Sequence, residues 1–406
     1  MTEKPDSGQG QVFSRHNLLA IYLPGLFMAS TNGMLIPVMP LFARSFIDSY
    51  LLIGVVLAAK GVGNLLFDIP AGVLVRRYGH RPVLTLGAAT IIASSLAVSQ
   101  THSVFLAIPC LAICGIGWAL WSIARQTYVA EVIRTENRGR SIALLGGVGR
   151  IGVLVGPVIG GLVAGTFGLR APFLLYTFLV LCGAVVMLIF SAPTRAAGTP
   201  ATEPEVRLWS VLRDNIAILF RAGSGQLCAQ LVRNARHVII PLYATDVLGL
   251  DIESVGLIIS LAAAADVLMV YPAGAIMDRF GRKFAYVPSF LIQAAGMALI
   301  PLTTGFFSLQ LVALLIGFGN GLGAGTMMTL GADLAPSRSR GEFIGIWRFI
   351  GDGGSVGGPL IVGTVAEVLG LLAAPVALAG IGFAGAGILA ALVPETLRGK
   401  PAPSST

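Results

Sequence analysis

Eight ionisable side chains interrupt long apolar runs of this sequence: Lys60, Asp68, Arg150, Arg233, Arg236, Asp266, Arg348 and Asp352. Charges away from water must pair, stay hydrated or meet a charged ligand, since an unpaired one at membrane depth costs several kcal/mol. Acid and base together also allow proton chemistry: a buried carboxylate holds its proton more tightly, and an adjacent guanidinium loosens it. Opening or closing such a pair therefore changes proton affinity. Five of the eight are basic and three acidic, a surplus that suits an anionic or polar ligand. Other chemistries lack their residues. The sequence has no HExxH, GxSxG or GxxxxGK[ST] pattern and only four scattered histidines, so neither an enzyme nor ATP-driven work is expected. Cys110, Cys114, Cys182 and Cys228 form no CxxC pair and read as packing residues, with no metal or cofactor site.

The elements that must position these charges are set by composition. Of 406 residues 55% are hydrophobic and 11% charged, against about 25% charged in soluble domains. Mean hydropathy is +0.84. A chain this poor in charge cannot cover a soluble surface, and an all-α polytopic membrane protein is expected. The net charge of +8 is then a question of membrane sidedness rather than of nucleic acid. Twelve runs approach the length that spans a bilayer: 18–43, 51–75, 82–99, 104–129, 141–167, 171–191, 216–245, 254–277, 284–304, 307–331, 343–365 and 371–392. The first is too long for a signal-peptide core and is read as a retained span. A polar connector, 192–214, separates two sets of six, so the expected organisation is an N-terminal half (1–191), a linker (192–214) and a C-terminal half (215–406).

Arginine and lysine choose the orientation. Connectors 2/3 (Arg76, Arg77, Arg81), 4/5 (Arg134, Arg138, Arg140), 6/7 (Arg195, Arg207, Arg213), 8/9 (Arg279, Arg282, Lys283) and 10/11 (Arg338, Arg340) are basic. The alternate connectors hold only Arg44 and Arg170, with Asp48, Asp246, Asp251 and Glu253. Both termini and the linker are therefore expected in the cytoplasm, in a plasma (inner) membrane.

The chain also repeats itself. Pro70, Gly72 and Gly79 recur at Pro272, Gly274 and Gly281, Gly115 and Gly117 at Gly317 and Gly319, Gly139 at Gly341, and Gly156-Pro157 at Gly358-Pro359, all at an offset of 202. Two parallel six-helix halves place a ligand site between them near the midplane. At these residues the chain resembles the major facilitator superfamily over almost its whole length. The 8/9 connector carries Gly274, Asp278, Arg279, Gly281, Arg282 and Lys283 in the order of that superfamily's loop signature. The 2/3 connector carries Gly72, Arg77, Gly79 and Arg81, with Arg76 where the expected aspartate would stand. Such an aspartate can latch the cytoplasmic side through charge-assisted hydrogen bonds, a role open to Asp278 and closed to Arg76. The fifth span, with Gly152, Gly156, Pro157, Gly160 and Gly161, is similar to the signature of the superfamily's proton-coupled antiporters. Close helix packing alone is the other use of such spacing. The antiporters' arginine in the fourth span is missing, with Leu111 in its place.

Counting residues gives depth. Asp68 lies eight residues above Arg76 and Arg348 eight above Arg340, while Arg150 and Asp266 each lie twelve above a connector residue. In the superfamily's arrangement the second span faces the eleventh and the fifth faces the eighth. The resemblance thus implies cross-half pairs, Asp68 with Arg348 and Arg150 with Asp266, acting either as gates or as static pairs that fix register. Asp352, four residues from Arg348, competes for it. The first, fourth, seventh and tenth spans line the superfamily's cavity, so Arg233, Arg236, Gln230, Asn32, Trp118, Trp121 and Asn320 are candidate substrate contacts; for the two arginines the alternative is pairing with Asp266 or Asp352, and for the tryptophans and asparagines it is packing. Arg125 and Glu131 are expected in the cytoplasmic charge cluster. The function implied is proton-coupled efflux of a small organic solute or drug by alternating access, with Asp68, Asp266 and Asp352 as proton carriers. The alternative is proton-coupled uptake of a small polar or anionic metabolite. The partners expected are the solute, protons and the lipid bilayer, with the chain acting as a monomer.

Overall fold

In a computed structural model the chain is described over residues 18–132, 138–191 and 208–397. The linker 192–207, both tails, and the side chains of Glu131, Arg134, Arg138, Arg140 and Arg338 lie outside the described residues. The described part is helical, without strands. A π-helical turn, Leu18–Tyr22, leads into α1 (Leu23–Arg44). Then follow α2 (Tyr50–Tyr78), α3 (His80–Gln100), α4 (Val104–Val132), α5 (Arg138–Phe167) and α6 (Ala171–Phe190). A short helix, Leu208–Asp214, occupies what was expected to be linker, with Val211 buried. The second set is α7 (Ile216–Asp246), α8 (Ile252–Arg279), α9 (Lys283–Leu299), α10 (Phe306–Leu322, resuming over Thr326–Leu334), α11 (Arg340–Leu369) and α12 (Ala373–Leu392).

Ten of these helices are long and apolar enough to cross a membrane. The other two are α7, 31 residues, and α11, 30 residues. Their length suffices, and what lowers their hydropathy is the charge of interest: Arg233 and Arg236 on α7, Arg348 and Asp352 on α11. A spanning helix can carry such residues because protein or a water-lined cavity, rather than lipid, surrounds them.

Turns explain the motif glycines. Gly79 (φ 81°) and Gly281 (φ 117°) reverse the chain between α2 and α3 and between α8 and α9. Side chains other than glycine rarely adopt that backbone region. At the opposite ends, α2 is capped by the Ser49 hydroxyl accepting from the Leu52 N–H, and α8 by the Asp251 carboxylate accepting from the Ser254 N–H at 2.7 Å.

Within the first half α1 packs on α5 and α2 on α4, and within the second α7 on α11 and α8 on α10. The halves meet along two seams, α2 with α11 and α5 with α8. Each seam is closest away from the basic connectors, and glycine makes the approach possible. A Cβ on Gly54 would come within 2.6 Å of the Pro359 carbonyl oxygen, and one on Gly363 within 2.6 Å of the Tyr50 carbonyl oxygen. On the other seam a Cβ on Gly256 would come within 2.5 Å of the Pro157 carbonyl oxygen, and one on Gly161 within 2.8 Å of that of Ile252. These are the same two contacts, each made twice, one repeat apart. At the basic ends the seams part: among the described residues, a Cβ on Gly72, Gly147, Gly274 or Gly345 meets nothing within 4 Å. The bundle is pinched at one end and splayed at the other.

Candidate functional site: a central cavity between the halves

The splayed seams lead into a cavity of two joined lobes, about 480 and 370 Å³, which share Asn32 of α1 and Trp118 of α4. Both volumes fall in the range of small-molecule sites. The larger lobe, on the splayed side, is walled by Trp121, Ser122 and Arg125 of α4, Arg150 of α5 and Asp266 of α8. Lys60 and Asn64 of α2, His237 of α7, and Asp352 and Ser355 of α11 wall the smaller one.

Its polar contacts begin with Arg150 and Asp266. The Arg150 Nη1 lies 3.5 Å from the Asp266 Oδ1 across the α5–α8 seam. The second carboxylate oxygen accepts from the Asn320 side-chain amide at 2.6 Å, so α10 orients the acid from behind. The other level pair is apart: Asp68 accepts from the Asn64 amide at 3.5 Å, and among the described residues no ion pair joins Arg348 to Asp68 or to Asp352. Arg348 is exposed in the gap between α2 and α11. One seam is therefore bridged by charge and the other is not.

Of the residues expected at the site, Asn32, Trp118, Trp121, Arg150, Asp266 and Asp352 line the two lobes. Arg236 reaches a small recess beside His237 and Asp266. Arg233 points elsewhere. α10 breaks at Gly323, and the Arg233 guanidinium donates at 3.0 Å to the Gly323 carbonyl, which also accepts from Thr326. Gln230 packs under Gly354 where α7 meets α11, away from the cavity wall, and Asn320 stands behind Asp266. Arg125, expected in the cytoplasmic charge cluster, lines the larger lobe instead, because α4 continues to Val132 and places Arg125 two turns inside its end.

Two features carried no assigned role in the sequence. Lys60 donates to the Asn32 side-chain oxygen at 2.8 Å and lies over the Trp118 ring, 5.1 Å from its centroid. At the pinched face Arg44 pairs with Asp246 at 3.0 Å, Tyr50 donates to the same carboxylate at 2.8 Å, and Glu367 accepts from the Leu51 N–H. The signal for the second was present: opposite charges at positions one repeat apart.

The signatures have structural work. Gly152, Gly156 and Gly160 receive the α1 backbone between Ala29 and Met34, while Pro157 and Gly161 face α8. One α5 motif thus packs in two directions. At the basic face Asp278 pairs with Arg282 of its own turn at 2.9 Å rather than across the halves. Arg282 also reaches Asp333 at 3.3 Å. Arg81 donates to the Leu188 carbonyl of α6, and Arg77 and Arg279 lie over the rings of Tyr78 and Phe280. The Glu395 carboxylate, beyond α12, accepts from the Arg282 and Lys283 N–H groups at 2.9 and 3.0 Å and so caps α9. Partial burial pushes its pKa up, and backbone hydrogen bonds from Leu397, Lys283, Arg282 and Thr396 outweigh this and hold it below the usual glutamate value.

Among the described residues, twelve long helices in two repeats stand around a largely apolar cavity with charged groups in its wall, open at one end, the arrangement of a membrane carrier of solutes. The profile of the Major Facilitator Superfamily matches residues 21–230 and again 222–406, and the chain belongs to that superfamily. It is 20% identical over 361 residues, 87% of this chain and 92% of the relative, to an uncharacterized MFS-type transporter of Methanocaldococcus jannaschii. Its identity to the multidrug resistance protein MdtH of Escherichia coli is 23%, over 79% of this chain and 80% of that protein. The crystal structure of the nucleoside transporter NupG superposes with a TM-score of 0.75 at 14% identity, covering 93% of this chain and 99% of that one. The chain is a multi-pass membrane transporter.

Proposed function

We propose that the protein exports a small organic solute in exchange for protons, alternating access by rocking one half against the other, with its basic face and both termini in the cytoplasm of a cell whose inner membrane it spans. The observation that carries this reading is the cavity's one-sidedness: glycine contacts pinch both seams on one face while both part on the other. An acid at the cavity wall, Asp266, meets a guanidinium from the opposite half. Separating them raises proton affinity and joining them lowers it, which ties protonation to the movement. Asp68 and Asp352 serve the same purpose on the α2–α11 seam, where Arg348 is the shared base. Asn32, Trp118, Trp121 and Arg236 contact the solute, and Asn320 orients Asp266. Arg233 and Gln230 hold α7 to its neighbours. The name of the MdtH relative favours export of drug-like solutes.

Uptake by symport is the second reading, favoured by the excess of basic over acidic groups at depth. Reconstituted proteoliposomes carrying a pH-sensitive dye in the lumen separate the two. Under export by exchange, substrate added to one side drives protons to that side. Co-movement of protons with substrate supports uptake, and no proton flux with active counterflow refutes both forms of coupling.

A further inference from the structure

We propose that Lys60, with Asn32 and Trp118, forms the seat for the negatively charged group of an amphipathic organic anion, a small carboxylate with an apolar body. The proposal rests on the central cavity being the solute site and names the chemical class that site takes.

Among the described residues no carboxylate pairs with Lys60. Its ammonium carries three donors. One goes to Asn32 and one flank lies on the Trp118 ring, which leaves donor capacity facing the 370 Å³ lobe. The cavity's own acids do not supply the counter-charge: Asp266 is held by Arg150 and Asn320, and Asp352, on the far wall, makes no ion pair with Lys60. Lys60 is partly buried; an ammonium held there without an anion is costly, and a ligand carboxylate lowers that cost while the solute is bound.

The seat is rigid. Gly115 of α4 lies directly against the Lys60 carbonyl, so α2 and α4 touch there. Trp118, one turn further along α4, donates its indole N–H to the Tyr176 hydroxyl at 2.7 Å. The indole is thus fixed edge-on to Tyr176 and presents a ring face beside the ammonium. Leu35, Ile36, Met39 and Leu57 supply an apolar wall around the same lobe. Arg125, which makes no ion pair among the described residues, stands in the larger lobe near the open end. An entering anion meets Arg125 before Lys60, a gradient of positive potential that draws anions inward and repels cations.

The test uses the purified full chain in detergent, without a proton gradient, and three probes sharing one ring: phenylacetate, phenylacetamide and phenethylamine. Binding is followed by tryptophan fluorescence and by ligand-induced thermal stabilisation. Phenylacetate is expected to bind saturably, the amide at least about tenfold more weakly, and the amine not at all. Lys60→Gln should weaken phenylacetate by about 30-fold or more, while Lys60→Arg, which keeps the charge, should stay within a few-fold of the parent. Equal binding of the three probes, unchanged binding in Lys60→Gln, or failure of the parent to bind phenylacetate overturns the proposal. The probe series on the parent protein decides the matter even if a variant fails to fold. Binding here needs no coupling, so binding of phenylacetate at Lys60 together with an absence of proton exchange in the proteoliposome assay would refute the export reading alone. Proton-coupled export that persists with no carboxylate binding would refute this proposal alone.

Discussion

Arg44 and Asp246, 202 residues apart, join at 3.0 Å on the pinched face. They occupy equivalent positions at the ends of α1 and α7, so the repeat brings them together beside its own symmetry axis. Tyr50 adds a second bond to the same carboxylate. Their separation must accompany any opening of this end, which makes the pair a latch on one access state. A partly exposed pair contributes about 1 kcal/mol, equivalent to about a fivefold change in the balance of states. Asp246→Asn and Arg44→Gln should each raise the reactivity of cysteines placed in the smaller lobe toward impermeant reagents from that side, and the exchange of charges, Arg44→Asp with Asp246→Arg, should reverse the gain. Unchanged reactivity in both single variants would show that glycine packing alone closes this end.

The glycine contacts predict a sharper effect. Gly54 and Gly256 are seated against carbonyl oxygens of α11 and α5, so a valine at either must force its seam apart. Gly54→Val and Gly256→Val should lower transport by about tenfold or more, on the scale of 1–3 kcal/mol for overpacking a close contact, and should favour opening of the pinched face. Gly72→Ala and Gly274→Ala, whose positions are open in this state, should leave binding from the basic side unchanged. Spin-label distances across α2–α11 for Gly54→Val and across α5–α8 for Gly256→Val would report the opening.

Much of the fold was legible because membrane spanning leaves few choices: twelve runs of sufficient length, basic residues on alternate connectors, and one offset repeated at glycines and prolines. Depth counting also put Arg150 and Asp266 on one level, and they meet. The same counting put Asp68 level with Arg348, which do not meet, because α2 and α11 diverge beyond Gly61 and an ion pair depends on the conformational state as well as on level. The break in α10 falls inside a run, 307–331, uncharged and long enough to read as one span despite its glycines, and there Arg233 donates to Gly323. Lys60 was visible as a deep charge, but its partners, an amide and an indole face on other helices, leave no spacing signal along the chain.

Glu395 gives a pH prediction outside the membrane. Its folded pKa is depressed, so its contribution to stability is fully present above the unfolded glutamate value of about 4.3 and is lost as pH falls through the lower folded value. Glu395→Gln should therefore have a lower Tm than the parent at neutral pH, and the two should converge as pH falls through the parent's depressed folded value, below which its carboxyl is also protonated. A gap that stays constant across this range would mean that the carboxylate charge does not hold the α9 cap.

The Arg150–Asp266–Asn320 group offers a test of what the bridged seam does. Because both charged side chains keep some solvent contact, their coupling should be about 1–2 kcal/mol, below that of a fully buried pair. Asp266→Asn removes the only ion-paired acid of the cavity wall among the described residues and leaves Arg150 facing an amide. If Asp266 carries the proton, this variant should retain solute counterflow while losing proton movement, and Arg150→Gln, which keeps the acid, should retain proton movement. Asn320→Ala should resemble a weaker Arg150→Gln, because it removes a donor to the same carboxylate. A static register pair predicts a different pattern: all three variants lose Tm and expression together, and whatever transport remains stays proton-coupled. Proton flux recorded in liposomes for the three variants, set beside their Tm values, separates these outcomes.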